Sequence, residues 1–329
     1  GADVNMFSTL RGTNVKELTY RNHSYWKNYL KYFPEALRRM DAEKIQEEWW
    51  RWGRSDIHLD RYVPTNDVQS PVKAILLHGG GGYSRLLAPY AQSLCEEGHE
   101  VVVPDLPGFG LTRADVDDID YRRWVALVID LIKREAELSE APVFVMGASL
   151  GGMVAYAVSR NNPDVRGVIA TTLCNPEMHD VREAFVRSPW IARYLWPLSR
   201  LIPGCVAQRI KLPIKWFGKM KAIANNPDLS LMVSKDKLGG GRCLPLSFLD
   251  SIFRLQPPSS LSGDAPVLLI HPAEDVWTPV ALSDHFFAGI PGRKFRVILP
   301  ECGHYPIEEE GLSVMKTTIL KFIRSECES

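Results

Sequence analysis

The sequence predicts an α/β fold: a mostly parallel β-sheet flanked by helices, with a helical cap inserted into it. Three observations predict this. From Val72 onward, short and uniformly apolar runs alternate with helical patterns, as in a parallel sheet buried on both faces. One of those runs ends in "MGASLGG" and leads directly into a helical pattern. The alternation then stops between residues 177 and 262, where Pro-broken helical pieces separate two strands. An insertion of that length in an open sheet reads as a cap over the ligand crevice at the strand ends.

Residues 1–53 carry Tyr20, Tyr25, Trp26, Tyr29, Tyr32, Phe33, Trp49, Trp50 and Trp52, and read as helical from Asp41 to Trp52. This aromatic-rich helical extension either packs on the core or lies as a lid over the site. "RSDIHLDRYVP" (54–64) alternates in polarity and suits an edge strand before the sheet. "VKAILLHGG" (72–80) is a buried strand. The helix after it (84–98) places Leu87, Tyr90 and Leu94 on one face, between a Ser84 cap and Gly98. "EVVVPD" (100–105) is the next strand, followed by an amphipathic helix over 121–138 with Trp124, Leu127, Val128 and Leu131 inward. "PVFVMG" (142–147), "VRGVIATT" (165–172), "PVLLIH" (266–271) and "KFRVILP" (294–300) complete the strands. The domain reading is an extension over 1–53, a core formed by 54–176 and 263–329, and a helical cap over 177–262.

Composition narrows the function classes. The 329 residues are 45% hydrophobic and 24% charged, and 39 Lys+Arg balance 39 Asp+Glu. A net charge of zero removes the global basic signal of a nucleic-acid binder, and no apolar run approaches the ~18 residues that span a bilayer. The N-terminal residues read as lacking a secretory leader. The six cysteines, Cys95, Cys174, Cys205, Cys243, Cys302 and Cys327, are scattered without a CxxC pair. Reduced thiols in a cytoplasmic protein fit that pattern better than a disulfide framework or a zinc site.

Chemistry concentrates at three places. Gly147-x-Ser149-x-Gly151 joins a strand to a helix, the context in which a serine on a sharp turn lifts its hydroxyl above a sheet. The alternative is a polar residue in a glycine-rich turn. "HGGGG" (78–82) follows an earlier strand, and four glycines in a row suit close backbone approach to a ligand. An oxyanion hole takes one N–H from the residue after the nucleophile and one from such a loop. Leu150 and Gly80 are the candidates, with Gly81 next, and a flexible turn is the alternative. A serine needs a base and an orienting carboxylate. His304, in the loop after the last strand, is the candidate base. Asp275, just beyond the preceding strand, is the candidate acid, ahead of Glu274, Asp264 and Asp250.

Taken with the order Ser149, Asp275, His304, the segments "HGGGG", "VPDLPGFGLT", "GASLGG", "HPAEDVWTP" and "GHYPIEEE" resemble the α/β-hydrolase superfamily from about Asp56 to the C-terminus. The cap stretch "NNPDLSLMVSKDKLGGGRCLPLSFLDS" resembles bacterial serine esterases of the monoacylglycerol lipase and lysophospholipase kind. The resemblance implies an eight-stranded, mostly parallel sheet and a hydrolase that uses no metal and no cofactor. It also implies a structural role for Asp105 in "PDLPGFG". The function expected is cleavage of a carboxylic ester through an acyl-enzyme. Lactonase, thioesterase and carbon–carbon hydrolase activities share the same triad, and a non-catalytic small-molecule receptor is the reading from another class.

Between Arg182 and Lys221 stand nine basic residues and a single acid, Glu183, with Trp190, Trp196, Trp216 and Phe217 among them. Such a pattern suits an amphiphilic or anionic acyl substrate, or peripheral membrane contact through the cap. The other reading is a solvated face balanced by acids elsewhere.

Overall fold

The structure, a computed structural model, describes residues 18–255 and 264–329. The first 17 residues of the extension, and positions 256–263 where the cap returns to the core, lie outside the described residues. In chain order the strands are β1 (Gln46–Trp52), β2 (Ser55–Tyr62), β3 (Lys73–Leu77), β4 (Glu100–Pro104), β5 (Val143–Gly147), β6 (Val165–Ala170), β7 (Lys211–Pro213), β8 (Cys243–Pro245), β9 (Val267–Pro272) and β10 (Lys294–Leu299). Eight of them form one sheet in the order β1-β2-β4-β3-β5-β6-β9-β10. All neighbours from β4 to β10 run parallel, and β1 and β2 join antiparallel. Every residue of β3, β5 and β9 is buried, as their unbroken apolar runs require once helices cover both faces.

Two expectations are corrected at the N-terminal side. Residues 46–52 are not helical but form β1, and β1 rather than β2 is the edge strand. The helical signal is real for one turn only: the Asp41 carboxylate caps Ala42–Lys44 by accepting from Glu43 N–H. Beyond it, "QEEWWRW" carries aromatics that suit a half-buried pleated surface. Trp52 pairs with Ser55, leaving Gly53-Arg54 as a two-residue hairpin loop with Gly53 at φ 55°, the backbone such loops demand. The boundary expected at 53/54 therefore cuts through a hairpin of the main sheet.

The remainder of the extension packs inward. Tyr20, Trp26, Tyr29 and Phe33 are each about 1% exposed, and Phe33 meets Tyr90 and Tyr305 edge-on. The Tyr29 and Tyr83 hydroxyls both donate to the carboxylate of buried Asp236, which ties the extension, the glycine loop and the cap to one acceptor. The cap holds helices His179–Phe185, Pro227–Lys235 and Leu246–Phe253 with the short β7–β8 ribbon between them.

Beneath the extension lies a charge cluster in which His58, Asp60, Arg85 and Asp105 are buried and Glu47 is partly buried. His58 Nε2 is 2.8 Å from Glu47 Oε1. Its Nδ1 is 3.1 Å from Asp105 Oδ2, an ion-pair contact that misses hydrogen-bond alignment. Arg85 makes two hydrogen bonds to Asp60. Burial opposes charge on His58, but Asp105 and Glu47 outweigh it and raise its pKa to about 10. Glu47, His58 and Asp60 lie close enough to hold a cation, yet an imidazolium has no lone pair to give one. Asp105 in turn accepts from Tyr20 OH at 2.6 Å, Ser84 N–H at 2.7 Å and Leu111 N–H at 3.1 Å. One carboxylate thus anchors the extension and the start of the helix behind the glycine loop.

The sign of the pH dependence follows. A folded-state pKa near 10, above the ordinary 6.5, gives stabilisation that is complete below about pH 6.5 and lost as the pH climbs to about 10. Urea unfolding midpoints should fall across that window. His58→Gln, which cannot be protonated, should cost about 3–5 kcal/mol and flatten the fall. Equal pH slopes in the two proteins would contradict a buried imidazolium.

Candidate active site

Ser149 stands between β5 and the helix Leu150–Ser159 with φ 54° and ψ −124°, a backbone region that costs a non-glycine residue about 1–3 kcal/mol. Its surroundings explain why the turn is so sharp. A Cβ on Gly147 would fall 2.0 Å from Gly151 O, and one on Gly151 would fall 2.3 Å from Leu77 O. Only hydrogen fits at both positions, so the elbow is pressed against the end of β3. Ala148 N–H donates to Leu77 O at 3.0 Å, and Ser149 N–H donates to Thr171 Oγ1 at 3.0 Å. These bonds fix the turn to the two neighbouring strand ends.

The Ser149 hydroxyl lies 2.8 Å from His304 Nε2, and His304 Nδ1 lies 2.8 Å from Asp275 Oδ2. Asp275 itself is held by three donors. Its Oδ1 accepts from Trp277 N–H at 3.0 Å and Thr278 N–H at 2.9 Å, and its Oδ2 accepts from the Thr278 hydroxyl at 2.8 Å. Burial pushes the Asp275 carboxyl up, but the charge and hydrogen bond of His304, with the Thr278 donors, outweigh it and hold the pKa below the usual carboxylate value. An ionised Asp275 fixes the His304 tautomer: Nδ1 carries the proton and Nε2 presents a lone pair to the serine. Trp277 lies against the imidazole at 5.0 Å between ring centroids.

The structure thus brings Ser149, His304 and Asp275 into one hydrogen-bonded row. The other acids considered fall elsewhere. Asp264 accepts from Asn161 N–H, and Asp250 pairs with Arg254 and accepts from Trp196. Glu274 N–H donates to Cys302 O, and Glu274 has no described contact with His304.

The glycine loop lies against the serine and the residue after it: a Cβ on Gly79 would fall 2.9 Å from Ser149 Cβ, and one on Gly80 would fall 3.2 Å from Leu150 Cδ1. Gly151 and Gly152 N–H turn back to Ala148 O and Ser149 O. Leu150 N–H opens the helix, where an α-helix leaves its donors without internal partners. The neighbouring loop is held by His78. Burial pushes the His78 pKa down, Nε2 accepts from Leu106 N–H at 2.9 Å, and Nδ1 is 2.8 Å from Gly79 O. Both contacts are met by a neutral ring protonated on Nδ1, which pins the first glycine of the loop.

Sequence reading passed over Thr278, Trp277 and Thr171. Thr278 had a weak local signal, since the carboxylate of an Asp commonly accepts from N–H groups two and three residues on. Thr171 had none, because its contact with Ser149 crosses from one strand end to another.

Two cavities reach Ser149. One runs below the loop into the core and the other runs up into the cap; with the solvent at their open ends they span about 1230 and 890 Å³. Gly80, Gly81, Ser149 and Trp277 line both.

Comparison with known proteins adds the following. The model of the alpha/beta hydrolase family matches residues 74–314. The thermostable monoacylglycerol lipase of Bacillus sp. (strain H-257) is 28% identical over 102 residues, 30% of this chain and 39% of its own length. A haloalkane dehalogenase of Psychrobacter cryohalolentis is 29% identical over 118 residues, 34% of this chain and 37% of its own. Each alignment therefore spans well under half of the relative. A crystal structure of a soluble monoglyceride lipase variant from Saccharomyces cerevisiae, in complex with a substrate analog, superposes with a TM-score of 0.68. It covers 89% of this chain and 98% of its own at 13% identity, a likeness of fold.

The strain at residue 149 can be measured apart from any chemistry. Ser149→Gly should raise stability by about 1 kcal/mol, the relief of strain less the entropy cost of glycine. Ser149→Ala should not, because alanine keeps the Cβ. Equal unfolding free energies for the two variants would contradict a strained elbow.

Proposed function

The chain belongs to the alpha/beta hydrolase family, and we propose that it is a serine hydrolase cleaving carboxylic esters through an acyl-enzyme on Ser149. The observation that carries this reading is the row of hydrogen bonds from Ser149 Oγ through His304 to an Asp275 whose two oxygens are otherwise occupied by Trp277 and Thr278.

The steps of this reading follow from ordinary acyl-transfer chemistry. Ser149 Oγ attacks the acyl carbon while its proton passes to His304 Nε2. The carbonyl π electrons move to oxygen, and Leu150 and Gly80 N–H groups receive that oxyanion. Each such donor is worth about 3–4 kcal/mol in the transition state. Asp275 stabilises the imidazolium without taking its proton. Collapse of the intermediate breaks the bond to the alcohol oxygen, which takes the proton from Nε2 and leaves. Water, deprotonated by His304, then adds to the acyl-serine, and the acid departs as the proton returns to Ser149.

Serine at position 149 separates this chain from relatives of the fold that use an aspartate nucleophile, as haloalkane hydrolases do. Lactone, thioester and carbon–carbon cleavage share these steps. The apolar walls of both cavities favour an apolar ester. A receptor built on this fold would need no activated serine. A fluorophosphonate should therefore label the wild-type protein and not Ser149→Ala, and Ser149→Ala should lose at least 10³-fold in kcat. Undiminished ester turnover by Ser149→Ala would overturn the proposal. Thr278→Val, which strips one donor from Asp275, should lower kcat about tenfold.

A second reading concerns where the substrate is met. Of the four cap aromatics noted in sequence, Trp196 is buried and bonded to Asp250, and Phe217 lines the cap cavity. Trp190 and Trp216 stand in solvent with Tyr194, Leu198, Leu201 (82% exposed) and Val206. Arg187, Arg193, Arg200, Arg209, Lys211 and Lys215, from the same stretch of chain, are also exposed, Arg193 being paired with Glu183. Exposed apolar side chains interspersed in the chain with exposed cations support docking at an anionic lipid surface that presents the substrate. No helix among the described residues is long and apolar enough to cross a membrane, and the contact proposed is interfacial. Buried free thiols at Cys95, Cys174 and Cys302 support the cytoplasm as the compartment. Vesicles containing phosphatidylglycerol should retain the protein, and the double variant Trp190→Ser, Leu201→Ser should bind at least tenfold more weakly. Retention indifferent to anionic lipid and to about 0.5 M salt would contradict this docking.

A further inference from the structure

The two cavities differ in where they lead. The cap arm passes Phe185, Leu212, Phe217, Phe248 and Ile252 and has no ionisable side chain on its wall. The core arm leaves the same mouth in the opposite sense. It runs between the sheet and the two helices on one of its faces, Ala88–Glu96 and Glu309–Glu328, past Met146, Ile169, Ile270, Met315 and Ile319. Each of these five is under 10% exposed. Beyond the mouth, which His78 and His304 border, the ionisable groups on the core arm's wall are Tyr90, Tyr305 and Lys316. The Tyr90 hydroxyl donates to Pro306 O and the Tyr305 hydroxyl donates to Leu86 O. Lys316 is half-exposed and paired with Glu97 at 2.9 Å.

A protein interior is close-packed, and voids larger than a water molecule are few. Two apolar spaces that share Gly80, Gly81, Ser149 and Trp277 are therefore a feature to be explained. If Ser149 is the nucleophile, the reacting carbonyl must lie at that shared mouth, and whatever is attached on its two sides must leave in two directions. A polar alcohol group such as glycerol would enter an arm walled mostly by apolar side chains, with few hydroxyls to meet it, at a cost of about 1–3 kcal/mol for each group left unmet. A hydrocarbon chain would meet matching walls in either arm.

We propose that the substrate is an ester carrying a hydrocarbon chain on both sides of the scissile bond, one chain lodged in the cap arm and the other in the core arm. The inference rests on the assignment of Ser149 as the reacting residue, but its test does not require turnover. Ile252 and Met315 are the specificity-determining residues singled out by position, since each lines only one arm.

Binding to the Ser149→Ala protein, measured by calorimetry, tests it with four probes: octyl octanoate, methyl octanoate, octyl acetate and 1-monooctanoylglycerol. Each methylene buried should tighten binding by up to about fourfold, so octyl octanoate should bind at least tenfold more tightly than either single-chain ester. The monoglyceride should bind no better than methyl octanoate. In the same background, Met315→Trp and Ile252→Trp should each cancel the gain from one chain and leave that from the other. Octyl octanoate binding no more tightly than the better single-chain ester would overturn the proposal, as would binding of the monoglyceride as tight as that of octyl octanoate. The probe series alone decides the matter should a tryptophan variant fail to fold. Two-chain binding by a protein whose wild-type form turns over no ester would instead overturn the acyl-enzyme reading and leave the two arms standing.

Discussion

The close approach of the Gly147–Gly151 turn to the end of β3 is the constraint on which the rest of the site depends. Because backbone oxygens of Leu77 and Gly151 occupy the places where side chains would be, the chain must reverse within a few residues, and Ser149 is driven to a positive φ. That turn places the serine hydroxyl opposite His304, starts the following helix at Leu150, and brings the glycine loop alongside. Stability lost in the strained backbone is recovered from bonds to Leu77 and Thr171 and from the buried helix behind it.

A second layer of support comes from buried acids. Asp105, Asp236 and Asp275 are each 5% exposed or less, and each joins segments distant in sequence. Asp275 gathers its own turn around the imidazole. Asp105 and Asp236 join Tyr20 and Tyr29 of the extension to the region behind the glycine loop. Through these two carboxylates the N-terminal segment is built into the support of the loop. The His58 imidazolium, held among Glu47, Asp60 and Asp105, offsets part of the negative charge around Asp105.

Much of this was legible in the sequence. The core strands announced themselves as unbroken apolar runs, because a parallel sheet buried on both faces has no polar side to alternate with. Ser149, Asp275 and His304 could be picked out because each directly follows a strand, where loops of open α/β sheets carry chemistry. Strand β1 was misread because Asp41 caps a true helical turn just before it, and three tryptophans in a short charged run fit either period. Trp196 and Phe217 were read with the surface aromatics because composition does not reveal which face of a Pro-broken segment turns inward. Thr171, Tyr29, Tyr83 and Asp236 were invisible in their roles: each acts through contacts between distant segments, which no local pattern encodes.

The central claim is that Ser149 becomes covalently acylated, and rapid-quench mass spectrometry with p-nitrophenyl butyrate tests it most directly. The account predicts a butyryl adduct on the peptide containing Ser149, forming in a burst that matches the first equivalent of p-nitrophenol released and decaying as hydrolysis proceeds. Ester hydrolysis without any adduct, or an adduct confined to another residue, would contradict it.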